Sequence, residues 1–307
     1  MSIEGFRGEM LPVNTLESDY EAEDTSRELW NDTDYISLSL RRHGPWSTKK
    51  EMWGALTPEG IKTSRQVAQE WAKQLPEDCE VSIYESPSAM PAVRENKTTG
   101  ETKVLMPKRA TITASLYEKA VFGDLTGVEV HQPTGEKQSK RRKRRDILGD
   151  FLHDVTDVQQ LPDFLQLVIA KYGDVGKNFF DALITDTLVP EVEKMMNEMH
   201  GSNSKEMAQR IVQFLLDVKT EHQEKEEKQT AIGLTHEETL GSFLFQLDKF
   251  LESQNVDRKM RTGHFAYNEG MDLHIEKDGE TLVIAKPNEK PLSINLKEFN
   301  DFLSREE

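Results

Sequence analysis

One cysteine, Cys79, in 307 residues excludes a disulfide within the chain and any cysteine-rich zinc site. It lies in a Pro-Glu-Asp-Cys-Glu stretch with nothing beside it that marks a reactive thiol. No apolar run approaches the roughly 18 residues that would cross a bilayer. The opening Met1-Ser2-Ile3-Glu4 has neither the basic nor the apolar character of an export signal. Together these absences fit a chain of the reducing cytoplasm. The glycine-rich loop that cradles nucleotide phosphates is missing too, so a bound ATP is not implied. His236-Glu237 begins like a zinc-protease helix, but the second imidazole would fall at position 240, which is Leu240. Neither a metal nor a cofactor is implied.

Positive charge is also scarce: Lys and Arg number 39 against 55 Asp and Glu, a formal net charge of −16. An acidic protein that binds an anion must gather its positive charge locally. Residues 1–33 are rich in Asp and Glu without periodicity, and read as a flexible acidic arm. The opposite extreme is Lys140-Arg141-Arg142-Lys143-Arg144-Arg145. Such a run suits nucleic acid or another polyanion. No aromatic residues interleave with it, which argues against single-strand binding, and its plainest reading is a solvated loop. A hydrophobic content of 36% beside 31% charged residues is enough for the core of one α/β domain carrying an insertion.

Histidines stand out against this background. Tyr35-Ile36-Ser37-Leu38-Ser39-Leu40 alternates apolar and polar residues at the period of a strand, and Arg42-His43-Gly44 follows just past its end. Thr230-Ala231-Ile232-Gly233-Leu234-Thr235 is a second short apolar run. His236 follows it and precedes a helical stripe of Leu240, Phe243, Leu244, Leu247, Phe250 and Leu251. A lone histidine beside a strand is more often structural than catalytic. Two at strand ends, with arginines nearby, have the composition of a phosphate pocket, because ligands of open α/β sheets sit beyond the strands' carboxyl ends, where helix N-termini offer N–H groups.

In the order of their landmarks these segments resemble the histidine phosphatase superfamily, the phosphoglycerate-mutase-like proteins. Leu40-Arg41-Arg42-His43-Gly44 is similar to the opening motif, and Leu56-Thr57-Pro58-Glu59-Gly60 to the start of the first helix. Tyr84-Glu85-Ser86-Pro87 followed by Arg94 resembles the second strand end with its phosphate-binding arginine. Leu116-Tyr117-Glu118 resembles the segment carrying the acid, and Leu234-Thr235-His236-Glu237 the closing histidine motif. The resemblance implies that His43 is the nucleophile, that Arg42, Arg94 and His236 hold phosphate, and that Glu118 donates the proton. Another branch of the superfamily draws its acid from beside the second histidine, so Glu237 and Glu238 stay open as alternatives. Pro45-Trp46-Ser47 departs from the polar residues usual after the first motif, so the resemblance does not extend to the pocket rim.

The chemistry needs these residue types. A phosphoryl group in transfer spreads negative charge over its equatorial oxygens. Arginine forks grip two of those oxygens and stay charged. A neutral imidazole offers a lone pair that can carry the phosphoryl group covalently.

The expected fold is an α/β three-layer sandwich with a mostly parallel central sheet, a helical insertion at 131–202 and a C-terminal hairpin. Domain boundaries fall at 1–33 for the arm and 34–307 for the phosphatase-like domain. Within the insertion, Ile147 to Val155 reads as one helix and Phe180 to Met199 as another, broken near Pro190, and the whole is placed as a lid. Thr262–Tyr267, Met271–Ile275 and Thr281–Ala285 read as strands and Leu296–Leu303 as the last helix. The expected activity is hydrolysis of a small phosphate monoester through a phosphohistidine. Mutase action and a non-catalytic phosphate-binding or scaffolding module are the alternatives. No membrane contact is expected, and the sequence leaves the substrate and the oligomeric state open.

Overall fold

The computed structural model describes residues 35–46, 56–76, 79–86, 92–95, 102–105, 109–123, 143–144, 148, 151–152, 155, 159–222, 228–260, 264–276, 278–287 and 289–305. The acidic arm expected at 1–33 lies outside these, as do residues 140–142 and 145 of the basic run.

A seven-stranded sheet organises the chain. It contains β1 (Tyr35–Arg42), β2 (Cys79–Glu85), β5 (Lys143–Arg144), β6 (Lys228–Thr235), β7 (Gly270–Glu276), β8 (Thr281–Ala285) and β9 (Leu292–Asn295). Their spatial order is β5-β2-β6-β1-β7-β8-β9. The four strands from β5 to β1 run parallel, and β7 to β9 continue antiparallel from β1. A separate hairpin of β3 (Ala92–Glu95) and β4 (Thr102–Leu105) stands apart from this sheet.

Alternation along the strands assigns each face its layer. Val81, Ile83, Ile232 and Leu234 pack against α1 (Pro58–Gln74) and α2 (Arg109–Phe122), which supply Ala68, Trp71, Ala110, Ala114 and Tyr117. Leu38, Leu40, Tyr84 and Ala231 face the other way. They meet α6 (Ser204–His222), α7 (Glu237–Ser253) and α8 (Leu296–Ser304). The result is the α/β three-layer sandwich that the sequence pattern leads one to expect.

Three further helices, α3 (Leu161–Tyr172), α4 (Lys177–Ile184) and α5 (Pro190–Glu198), fall within the stretch read as an insertion. They bury a core of their own, in which Phe151, Phe164 and Phe179 meet ring to edge or at a tilt. The expected break near Pro190 is a loop after Ile184, and Pro190 itself opens α5, where its missing N–H costs nothing. Phe151 and Leu152 sit in a turn rather than in the helix expected there, and Lys143–Arg144 joins the sheet as an edge strand. Among the described residues, no helix is long and apolar enough to cross a membrane.

The C-terminal part differs from expectation at one place. Residues 264–267, read as the end of a strand, instead lead into a turn in which Asn268 adopts φ 66 and the Glu269 carboxylate accepts from the Ala266 N–H at 2.8 Å. Asparagine tolerates that left-handed conformation better than most residues. The strand that completes the antiparallel edge is instead β9, whose four residues were too few to stand out by alternation.

Candidate active site

Adjacent parallel strands bring the two histidines together. The register of β1 on β6 sets Arg42 opposite Thr235, so the next residue of each chain segment is a histidine. The His43 N–H donates to the Thr235 carbonyl at 3.0 Å. The two imidazoles meet edge to face with centroids 5.3 Å apart, and both are almost fully buried, His43 at 3% exposure and His236 at 2%. His236 caps the N-terminus of α7 with an extended backbone, which leaves the positive end of that helix at the same spot.

The segment after His43 is locked from three sides. Gly44 N–H donates to Thr113 Oγ1 at 3.1 Å, tying it to α2. A Cβ on Gly44 would lie 2.0 Å from Ser64 Oγ, and that hydroxyl is itself held by Asn268 Oδ1 at 2.8 Å. Glycine is needed there for close approach. The Pro45 carbonyl accepts from the Thr57 N–H at 3.1 Å, beside the Thr57 hydroxyl that caps α1.

Two guanidiniums flank the dyad. Arg42 donates from Nη1 to the Phe265 carbonyl at 2.6 Å, pairs with Glu237 Oε2 at 2.8 Å, and lies 4.1 Å from the centre of the Tyr267 ring. Arg109, at the first turn of α2 and 5% exposed, lies 4.3 Å from the centre of the Trp46 ring. Burial holds the His43 imidazole well below its ordinary pKa, and the nearby positive charges of Arg109, His236 and Arg42 push the same way. Its Nδ1 sits 2.8 Å from the Gly44 carbonyl. A carbonyl only accepts, so Nδ1 carries the hydrogen and Nε2 the lone pair.

Solved structures that match this fold include a phosphoglycerate mutase from Bacillus anthracis str. Sterne. It is 12% identical, with a TM-score of 0.44, over 88% of this chain and 98% of that one. A mycobacterial glucosyl-3-phosphoglycerate phosphatase matches at 9% identity and a TM-score of 0.42, over 82% of this chain and 97% of its own. A Plasmodium falciparum phosphoglycerate mutase matches at 15% identity and 0.35, over 85% and 97%. No family model and no curated protein matches the chain. These are likenesses of fold between distant sequences, and no residue's role is transferred from them.

His43, His236 and Arg42 are thus brought together, while Arg94 is on a separate hairpin and Glu118 is within α2. Arg94 does not lie at the end of a sheet strand. It sits on β3 of the separate hairpin, and its side chain is outside the described residues. Beside the dyad the structure has Arg109, which follows that hairpin. The signal was present, since Ala110, Thr113, Ala114 and Tyr117 mark a helix face beginning at Arg109, but Arg94 was nearer in sequence to Ser86-Pro87. Glu118 is in the body of α2. It is nine residues beyond Arg109, about 13 Å further along the helix axis and on the opposite face from it. Of the open alternatives, Glu238 is buried in the first turn of α7 at 6% exposure. Glu237 touches Arg42 and, through its other oxygen, His264. His264 in turn lies 3.3 Å from Asp181 of α4. Among the described residues, no group of three or more His, Cys, Asp or Glu is placed to hold a metal.

Proposed function

We propose that the chain hydrolyses phosphate monoesters through a phosphohistidine at His43. The observation that carries this reading is the neutral, tautomer-fixed ring of His43, its Nδ1 bound to the Gly44 carbonyl at 2.8 Å, set between His236 and two buried or half-buried arginines. A ring kept uncharged beside so much positive charge suits attack on an anion.

The phosphoryl group of the substrate sits between Arg42, Arg109 and His236, over the N-terminus of α7. His43 Nε2 attacks phosphorus in line, the ester P–O bond breaks, and its electron pair leaves on the alcohol oxygen. A carboxylic acid supplies that oxygen's proton. Glu237 is assigned this role because it is the carboxyl group in contact with Arg42. A monoester entering as its monoanion displaces this carboxylate from the guanidinium and hands it the proton that Glu237 then passes to the ester oxygen. In the second half a water oxygen attacks phosphorus, its proton passes to the Glu237 carboxylate, and the P–Nε2 bond breaks to release inorganic phosphate and neutral His43.

The test is a quench of wild type with a 32P-labelled ester in the steady state. The expected result is a labelled protein adduct that is acid-labile and alkali-stable, as a phosphoramidate is, and that is absent together with turnover in His43→Ala. Turnover undiminished in His43→Ala would remove the nucleophile.

A further inference from the structure

We infer that the substrate's alcohol portion is aromatic, and that it is received between Tyr267 and Trp46; this rests on the phosphatase reading above. The direction in which the leaving group must point is fixed by the burial of the nucleophile. In-line displacement places the departing oxygen opposite Nε2. With His43 only 3% exposed, it forms the floor, and the alcohol leaves toward solvent. Whatever borders the dyad on its solvent side is therefore what the alcohol touches.

Among the described residues, two aromatic rings lie on the guanidiniums that flank the dyad. Tyr267 has its ring centre 6.0 Å from that of His43 and 4.1 Å from the Arg42 guanidinium, and it is 37% exposed. Large exposed apolar side chains are rare here: among the described residues only Val256 is comparable. Trp46 is half-buried and stacks on Arg109, with an antiparallel bridge to Leu56 fixing its backbone. Each ring thus lies against one of the two guanidiniums, and Tyr267 lies beside the His43 ring as well.

Stacking on an arginine orients both partners, so positioning of the phosphate clamp is one role for these rings. Positioning alone does not require Tyr267 to leave more than a third of its surface in water. An aromatic alcohol packed there covers apolar area and gains the ring-to-ring preference of aromatic pairs. A small hydroxylated acid gains neither. The sequence departure at Pro45-Trp46, where polar residues were the expectation, is explained by the same occupant.

The two roles separate by experiment. Benzyl phosphate and ethyl phosphate release alcohols of similar acidity, so the ratio of their kcat/KM values reports contacts to the alcohol, and any loss from a misplaced clamp cancels. Wild type should favour benzyl phosphate by about tenfold, on the upper range of aromatic contacts. Tyr267→Leu and Trp46→Leu should each reduce that ratio severalfold, and Tyr267→Phe should keep it. A wild-type ratio near one, or a ratio unchanged in both leucine variants, overturns the inference. Should the leucine variants not fold, inhibition of the wild type by benzylphosphonate against ethylphosphonate decides in their place: equal inhibition constants overturn it. Failure to hydrolyse either ester would count against the phosphatase reading itself, whereas hydrolysis with a flat ratio removes only the aromatic substrate.

Discussion

Arginine is asked for two different things at this site, and the residues differ accordingly. Arg42 is shared between a carbonyl, a carboxylate and a ring, so part of its charge is already engaged before any ligand arrives. Arg109, stacked on Trp46 and contributing to the depression of the His43 pKa, is the stronger candidate for stabilising the transition state. Arg109→Ala should lower kcat/KM by at least a hundredfold, the usual cost of losing one fixed donor at a charge-developing centre. Arg109→Lys should recover only part of that, because a lysine keeps the charge without the fork. Steady-state kinetics on one aryl ester decide the point, and near-normal activity in Arg109→Ala would rule the assignment out. Glu237 has a separate signature. If it protonates the leaving oxygen, Glu237→Gln should slow ethyl phosphate at least tenfold more than p-nitrophenyl phosphate, whose phenolate leaves without help. Equal losses on the two esters would mean that another group delivers the proton.

At the scale of elements, what could be read in advance was whatever a short periodic pattern carries. β1 announced itself through alternation, α7 through its apolar stripe, and the parallel pairing of β1 with β6 then required His43 and His236 to meet. What could not be read was set by distance along the chain or by backbone geometry. The hairpin β3–β4 separates Ser86 from Arg109, and sequence proximity pointed to Arg94 instead. Glu118 shares its helix with Arg109 and is carried away from that N-terminus at a fixed rise. Residues 264–267 read as a strand, but the backbone there is taken up by the turn around Asn268 with its positive φ. A similar device joins the inserted helices to the sheet layer. Asp186, with φ 54, accepts from Ser204 Oγ at 2.7 Å and from Gln246 Nε2 at 3.2 Å, and that amide also reaches Ser204 Oγ at 2.7 Å. One carboxylate between α4 and α5 therefore serves α6 and α7 together. Asp186→Ala should cost on the order of 1–3 kcal/mol in urea unfolding, from leaving buried donors unpaired and from alanine at positive φ. Asp186→Asn, which keeps an acceptor and tolerates the backbone, should cost less; equal losses would show that the hydrogen bonds do not matter.

For the molecule as a whole, two opposing influences meet as pH falls. Protonation reduces the self-repulsion of a chain with net charge −16, which favours the folded state. Buried neutral imidazoles act in the other direction. His274 is fully buried on β7, its Nδ1 3.0 Å from Ser37 Oγ. Burial lowers its pKa, the Arg41 charge lowers it further, and Asp272 only partly opposes them. Above the unfolded value of about 6.5 both states are neutral and the ring has no effect on stability. Below it the unfolded ring binds a proton that the folded ring refuses. Stability is therefore lost as pH falls from about 6.5 toward the depressed folded value, by at most about 1.4 kcal/mol per pH unit for each such ring. His43 contributes in the same sense. The two influences can be separated with salt, because at about 0.5 M the screening length shrinks to a few ångström and long-range repulsion is largely removed. In that buffer wild-type stability should decline between pH 6.5 and 5.5. His274→Asn, which preserves an acceptor toward Ser37 but cannot be charged, should decline less steeply. Parallel curves for the two proteins would place the proton uptake elsewhere, and a wild type that gains stability on acidification at high salt would show that neither buried ring resists protonation as its surroundings require.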